Sequence, residues 1–214
     1  MLWQLISHQT NATINRLCNE KIFLIFLSLV TTVGFTQVQR IKVKGNKFVN
    51  EKGEAFVFRG LNAGDPDKLT TDGHWNKEYF AEIKNWGANI VRFPVHPQVW
   101  RKRGQEEYMK LLDQGVAMAK ELGLYVIIDW HSIGNLRSQL YQAPGYATTQ
   151  KETFEFWRTM AQHYKNETTV AFFELFNEPT VYNGQLGTCH QQDRESILRK
   201  LCRKRPQHLN NLRC

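Results

Sequence analysis

Four short, nearly uninterrupted apolar runs constrain this chain more than any other feature: residues 56–58, 88–95, 124–128 and 170–176. Runs of this kind lack the polar alternation of a half-exposed strand and match strands buried on both faces. Segments of helical period lie between them. Residues 76–86 place Tyr79, Phe80, Ile83 and Trp86 on one stripe, and Gly87 follows where a helix C-terminus favours glycine. Residues 106–122 do the same with Tyr108, Leu111, Leu112, Val116, Ala119 and Leu122, ended by Gly123. Thr149-x-x-Glu152 is a capping box opening a third helix, with Phe154, Trp157, Ala161 and Tyr164 on its apolar stripe. Before the first run, residues 40–60 alternate around Gly45-Asn46 and Lys52-Gly53 turns, a small hairpin leading into the first strand.

The order is therefore strand, helix, strand, helix, strand, helix, strand, which predicts a parallel sheet with helical crossovers. Two α/β architectures fit: an open doubly wound sheet and a (β/α)8 TIM barrel. The first calls for a glycine-rich phosphate loop after its first strand, and Arg59-Gly60-Leu61-Asn62-Ala63-Gly64 lacks that spacing. The barrel is the expected fold, reduced to about its first four βα units.

Polar residues gather where each strand ends. Asn62 and Asp65 follow the first, Arg92 and His96 the second, Asp129, Trp130 and His131 the third, and Asn177 and Glu178 the fourth. Barrels of this kind carry their active sites on that face. The fourth run is the sharpest case, because Pro179 is expected to stop the strand and leave Asn177 and Glu178 at the end of a rigid element. Arg, His, Asn, Glu and an indole, without a cysteine nucleophile or phosphate loop, suit a polyhydroxylated substrate. Carboxylates protonate leaving oxygens, amides and imidazoles bind hydroxyls, and indoles stack on sugar rings.

Three motifs sharpen this. Trp86-Gly-Ala-Asn-Ile-Val-Arg92-Phe-Pro, Leu124-Tyr-Val-Ile-Ile-Asp-Trp-His131 and Phe173-Glu-Leu-Phe-Asn177-Glu178-Pro179 resemble, in order and spacing, glycoside hydrolase family 5, the cellulase family. The resemblance covers roughly residues 41–188. It implies a retaining endo-β-1,4-glucanase acting on β-glucan polysaccharides or oligosaccharides, with no metal and no cofactor. Carried over, Glu178 matches the general acid/base, Asn177 the group that binds the sugar 2-hydroxyl, Arg92 the arginine holding the nucleophile, and His131 a ligand of the sugar beside the cleaved bond. His96 and Trp130 are substrate-binding candidates by position only. The rival readings are structural: Arg92 paired with Glu174, His131 as a hydrogen-bonded core residue, Trp130 as packing beneath the site. At the level of function the rivals are a β-mannanase or mixed-linkage glucanase of the same family, and a non-catalytic carbohydrate-binding remnant.

Four strand units are half of what a barrel needs, and the strand for the nucleophilic glutamate is not among them. Residues 189–214 change character, with an Arg203-Lys204-Arg205 run and three of the four cysteines, so a frame-shifted basic tail is expected there, and little or no glucanase activity is expected of the chain. That tail holds seven Lys or Arg against two acids, most of the formal charge of +8. Without aromatic interleaving it argues against a nucleic-acid partner. At the other end, Lys21, the apolar stretch 22–30 and the small or polar Thr31, Thr32, Gly34 and Thr36 form a secretory signal pattern within a leader of residues 1–36. The apolar stretch falls short of the ~20 residues a membrane span needs. The expectation is a secreted protein without stable membrane insertion, its barrel half at residues 37–188, prone to self-association through unpaired strand edges.

Overall fold

The computed structural model describes residues 38–180. The expected leader at 1–36, the basic tail at 189–214 and the residues leading into that tail lie outside them. A two-stranded antiparallel hairpin comes first, β1 (Lys42–Lys44) and β2 (Lys47–Val49), turning at Gly45-Asn46. The main sheet has four strands in the order β3 (Gly60–Asn62), β4 (Ile90–Val95), β5 (Tyr125–Trp130) and β8 (Val170–Glu174), every neighbouring pair parallel. Its connections run through helices α1 (Pro66–Thr71), α2 (Lys77–Asn85), α3 (Pro97–Arg103), α4 (Gln105–Glu121) and α5 (Gln150–His163). This is the first half of a (β/α)8 barrel, laid out in chain order.

Local sequence explains the helix ends. Asn76 accepts a hydrogen bond from the Tyr79 N–H and so starts α2, while Gly87 after its end takes φ 85°, a left-handed conformation costly for other residues. Gly123 ends α4 in the same way at φ 65°. Thr149 caps α5 through the Glu152 N–H, but only half of the expected box forms. The Glu152 carboxylate turns away to Arg101 and the Thr148 hydroxyl.

The outward side chains of the sheet make the core. Val91, Phe93 and Val95 of β4 and Val126, Ile128 and Trp130 of β5 are all fully buried, against Phe80 and Ile83 of α2, Tyr108, Leu112 and Val116 of α4, and Phe156, Trp157 and Met160 of α5. A second, smaller cluster closes the N-terminal end of the sheet. There Phe48, Phe56 and Phe58 meet Tyr125 and Phe172 in edge-to-face contacts with centroids 4.9–5.5 Å apart.

That cluster corrects the first expected strand. Residues 56–58 are not a strand: they lead across the bottom of the sheet, and the strand begins at Gly60. A side chain at Gly60 would place its Cβ 2.0 Å from the Ile90 carbonyl oxygen, so the close approach of β3 to β4 needs glycine there. Trp86, expected on the buried stripe, is 72% exposed and its indole N–H donates to Glu82 at 2.6 Å. The strand expected to stop at Pro179 stops earlier, at Glu174. Glu178–Pro179 instead forms β9, paired in parallel with β6 (Ile133–Asn135), which also pairs with β7 (Leu140–Tyr141). Among the described residues no helix is long and apolar enough to cross a membrane.

Candidate active site

Alternation along a strand puts Arg92 on the opposite face of β4 from Val91 and Phe93. The residues that gather around it come from all four strands. The Arg92 Nε donates to Glu174 Oε2 at 2.6 Å and Nη2 donates to Glu174 Oε1 at 3.1 Å, a two-pronged grip on one carboxylate. Nη2 also reaches Asn177 Oδ1 at 2.7 Å and Asp129 Oδ2 at 2.9 Å, and Nη1 reaches Asn62 Oδ1 at 3.4 Å. Burial works against the charge of Arg92, but Glu174, Asp129 and Glu178 outweigh it and hold the guanidinium above its ordinary value. Burial pushes the Asp129 carboxyl up to about 6, against the opposing pull of His131 and Arg92.

The hydrogen-bonded backbone beyond β8 then positions the last two candidates. Asn177 N–H donates to the Trp130 carbonyl at 3.2 Å, Glu178 N–H to Ser132 at 3.0 Å and Thr180 N–H to Gly134 at 2.9 Å. Residues 177–180 are thereby held against 130–134, and the Glu178 side chain is left exposed. Asn177 spends its amide oxygen on Arg92, and its buried Nδ2 has no partner among the described residues.

Two histidines complete the rim. His131 Nδ1 lies 2.7 Å from Asp129 Oδ2, and His96 Nδ1 lies 2.9 Å from Asp65 Oδ2. The imidazoles meet edge to face with centroids 4.5 Å apart, and the Tyr146 ring lies near both, 5.6 Å from His96 and 6.0 Å from His131. Ser132 fixes the Tyr146 loop by donating its hydroxyl hydrogen to the Tyr146 carbonyl at 2.6 Å.

The structure thus brings Arg92, His96, His131, Asn177 and Glu178 to one end of the sheet. It excludes Trp130, expected as a substrate-binding residue: the ring points to the helix side, fully buried between Trp100 and Phe156. The register explains this, because Trp130 falls on the same face of β5 as Val126 and Ile128 while Asp129 falls on the other. Glu174, whose direction the sequence left open, faces Arg92. Tyr146 was missed as a site residue, and Asp65 was noted only for its place after the first strand, with no role assigned to it. Asp65 sits three residues after a short strand and Tyr146 ends a single 3-10 turn, and neither carries a periodic signal. Among the described residues no three His, Cys, Asp or Glu side chains are placed to hold a metal ion together.

With this geometry in view, the likeness to known proteins is informative. A sequence model of the cellulases, glycosyl hydrolase family 5, matches residues 49–200. An endoglucanase of Paenibacillus polymyxa is 26% identical over 191 residues, covering 75% of this chain and 48% of the relative. A crystal structure of a β-glucanase from Saccharophagus degradans is 45% identical with a TM-score of 0.73, covering 77% of this chain and 49% of that one. The same β-glucanase has been solved with cellotetraose. A β-mannanase from Thermomonospora fusca in complex with mannohexaose, at 19% identity and a TM-score of 0.57, shares the fold. The chain spans about half the length of these relatives.

Proposed function

The chain belongs to the cellulase family, glycosyl hydrolase family 5, and from that premise we propose that it carries the acid/base half of a retaining β-1,4-glucanase site, with Glu178 as the acid/base. The observation that carries this reading is the contrast among the carboxylates at the top of the sheet. Asp129 and Glu174 are paired with Arg92 and Asp65 with His96, while the exposed Glu178 carboxylate makes no hydrogen bond or ion pair among the described residues and is held in place through its backbone. A retaining mechanism needs a proton donor to the glycosidic oxygen and a nucleophilic carboxylate about 5–5.5 Å away. Glu178 fits the first role.

The other residues fit binding. The resemblance gives Asn177 the sugar 2-hydroxyl, and its buried Nδ2, without a partner among the described residues, is the donor left for it; His131 and His96 offer ring nitrogens, and Arg92 fixes the Asn177 amide oxygen. The resemblance gave Arg92 the task of holding the nucleophile. Among the described residues its carboxylate partners are Glu174 and Asp129, so that task is proposed only for an enzyme in which a further glutamate reaches it.

Because every other described carboxylate at this end is committed to a cation or an imidazole, the 214-residue chain is proposed to bind β-glucan oligosaccharides while hydrolysing them little. That same observation favours a second reading, a non-catalytic carbohydrate-binding protein. Calorimetry with cellotetraose alongside a reducing-sugar assay on soluble β-glucan separates these cases. Binding with negligible hydrolysis is the expected outcome. Hydrolysis abolished by Glu178→Gln would establish a complete enzyme, and failure to bind would remove the β-glucan assignment.

Secretion through the 1–36 leader and self-association through β3 and β8, the outer strands of the described sheet, belong to the same proposal. A solution mass that rises with concentration is the expected sign of self-association, and a constant monomer mass would exclude it.

A further inference from the structure

Two aspartate–histidine pairs stand side by side at the rim, and only one of them lies within the matched sequence motifs. In the first, Asp129 Oδ2 lies 2.9 Å from Arg92 Nη2 in an ion pair and 2.7 Å from His131 Nδ1; an ionised carboxylate has only acceptors, so His131 Nδ1 donates. In the second, Asp65 Oδ2 accepts from the His96 backbone N–H at 3.1 Å and Oδ1 accepts from the Asp67 N–H at 2.8 Å. Both Asp65 oxygens are therefore acceptors, and His96 Nδ1 at 2.9 Å must donate. Asp65 is 6% exposed and caps α1, while His96 stands at the start of α3, so one carboxylate ties together two helix starts and one ring.

The consequence is a defined tautomer. With the proton on Nδ1, Nε2 of each ring is an unprotonated acceptor, and neither Nε2 has a hydrogen-bond partner among the described residues. Edge-to-face contact at 4.5 Å and the Tyr146 ring limit rotation of both imidazoles. Burial raises the Asp65 carboxyl, but its bonds to His96 outweigh this and keep it below its ordinary value, in the ionised form the arrangement requires.

We propose that Asp65 is a positioning residue, fixing His96 with its proton on Nδ1 so that His96 and His131 present a pair of Nε2 acceptors to neighbouring hydroxyls of one sugar unit. The sugar ligand rests on the β-glucan reading above; the tautomer does not. A vicinal diol offers two donors a few ångströms apart, which two fixed acceptors meet without reorganisation.

The test is nitrogen-15 NMR of the full chain labelled at histidine, at pH 7.5, with and without cellotetraose, the His96 and His131 signals assigned by His→Gln substitution. The expected wild-type spectrum has protonated Nδ1 and pyridine-like Nε2 at both residues, and cellotetraose shifts both Nε2 signals. Asp65→Ala moves only the His96 signals, toward an averaged tautomer mixture, and weakens cellotetraose binding on the order of tenfold, the loss of one well-placed hydrogen bond. A wild-type His96 protonated on Nε2 overturns the proposal without any variant, and so does an Asp65→Ala chain with unchanged His96 signals. An Asp65-dependent tautomer in a chain that ignores cellotetraose supports the positioning role and overturns the β-glucan reading.

Discussion

The two faces of the four-stranded sheet are built from the same strands and obey different rules. On the outward face Val91, Phe93, Val95, Val126, Ile128 and Trp130 are each fully buried beneath helices. On the inward face the alternate residues are sorted along the strands. Tyr125 and Phe172 meet the Phe48, Phe56 and Phe58 plug at one end, and Arg92, Asp129 and Glu174 meet at the other. The outward face is finished within the described residues. The inward face retains partly exposed side chains at Arg92, Ile127, Phe172 and Glu174. The difference teaches that folding of this half rests on the helix side, while the proposed chemistry rests on the side that gathers Arg92, Asp129 and Glu174.

The largest expected effect breaks the outward face. Phe93 packs edge-on against Trp75 and Phe80 with centroids 5.1 and 5.7 Å away. Phe93→Ala is expected to cost about 3–5 kcal/mol, the usual range for a buried aromatic, and to abolish a cooperative urea transition followed by circular dichroism. An unchanged midpoint would mean that the helix side does not carry the fold.

Next comes the inward face. Arg92→Met leaves Asp129 buried beside Glu174 with no cation, and a loss of about 3 kcal/mol is expected from stranding a buried charge. Asp129→Asn in the Arg92→Met background should recover part of that loss in the same urea titration, because it removes the stranded charge.

A smaller effect sharpens the contrast through pH. Folding raises the Asp129 carboxyl from its ordinary 3.8 to about 6, so the folded chain holds a proton that the unfolded chain has released between those values. Stability from this group is therefore complete below about pH 4 and is lost as pH rises toward 6. Urea midpoints across that window are expected to fall in the wild type and to flatten in Asp129→Asn.

The outward face was legible in the sequence, because helical stripes and apolar runs report burial directly. Residues such as Phe80, Leu112 and Trp157 fell where their periodicity put them. The inward face was legible only where a polar residue interrupts or ends a strand, as at Arg92, His96, Asp129, His131, Asn177 and Glu178. Phe56 and Phe58 misled, since alternating aromatics look the same in a strand and in a plug across the end of a sheet. Trp130 misled because one register position separates it from Asp129, and sequence alone did not fix which of the two faced inward. Asp65 was legible in position but not in role, because that role depends on His96, thirty-one residues away in sequence.

The most direct test of the central claim, that Glu178 is the proton donor, uses a chimera in which residues 38–180 replace the matching half of the 45%-identical β-glucanase. Glu178 is exposed, so Glu178→Gln should change stability by no more than about 0.5 kcal/mol. It should lower β-glucan hydrolysis on the order of a thousandfold, as loss of an acid/base catalyst does. An aryl cellobioside with a dinitrophenolate leaving group needs no proton, and azide needs no base, so with both present the variant is predicted to recover turnover and release a β-glycosyl azide. Equal loss on both substrates, with no rescue by azide, would contradict the assignment of Glu178.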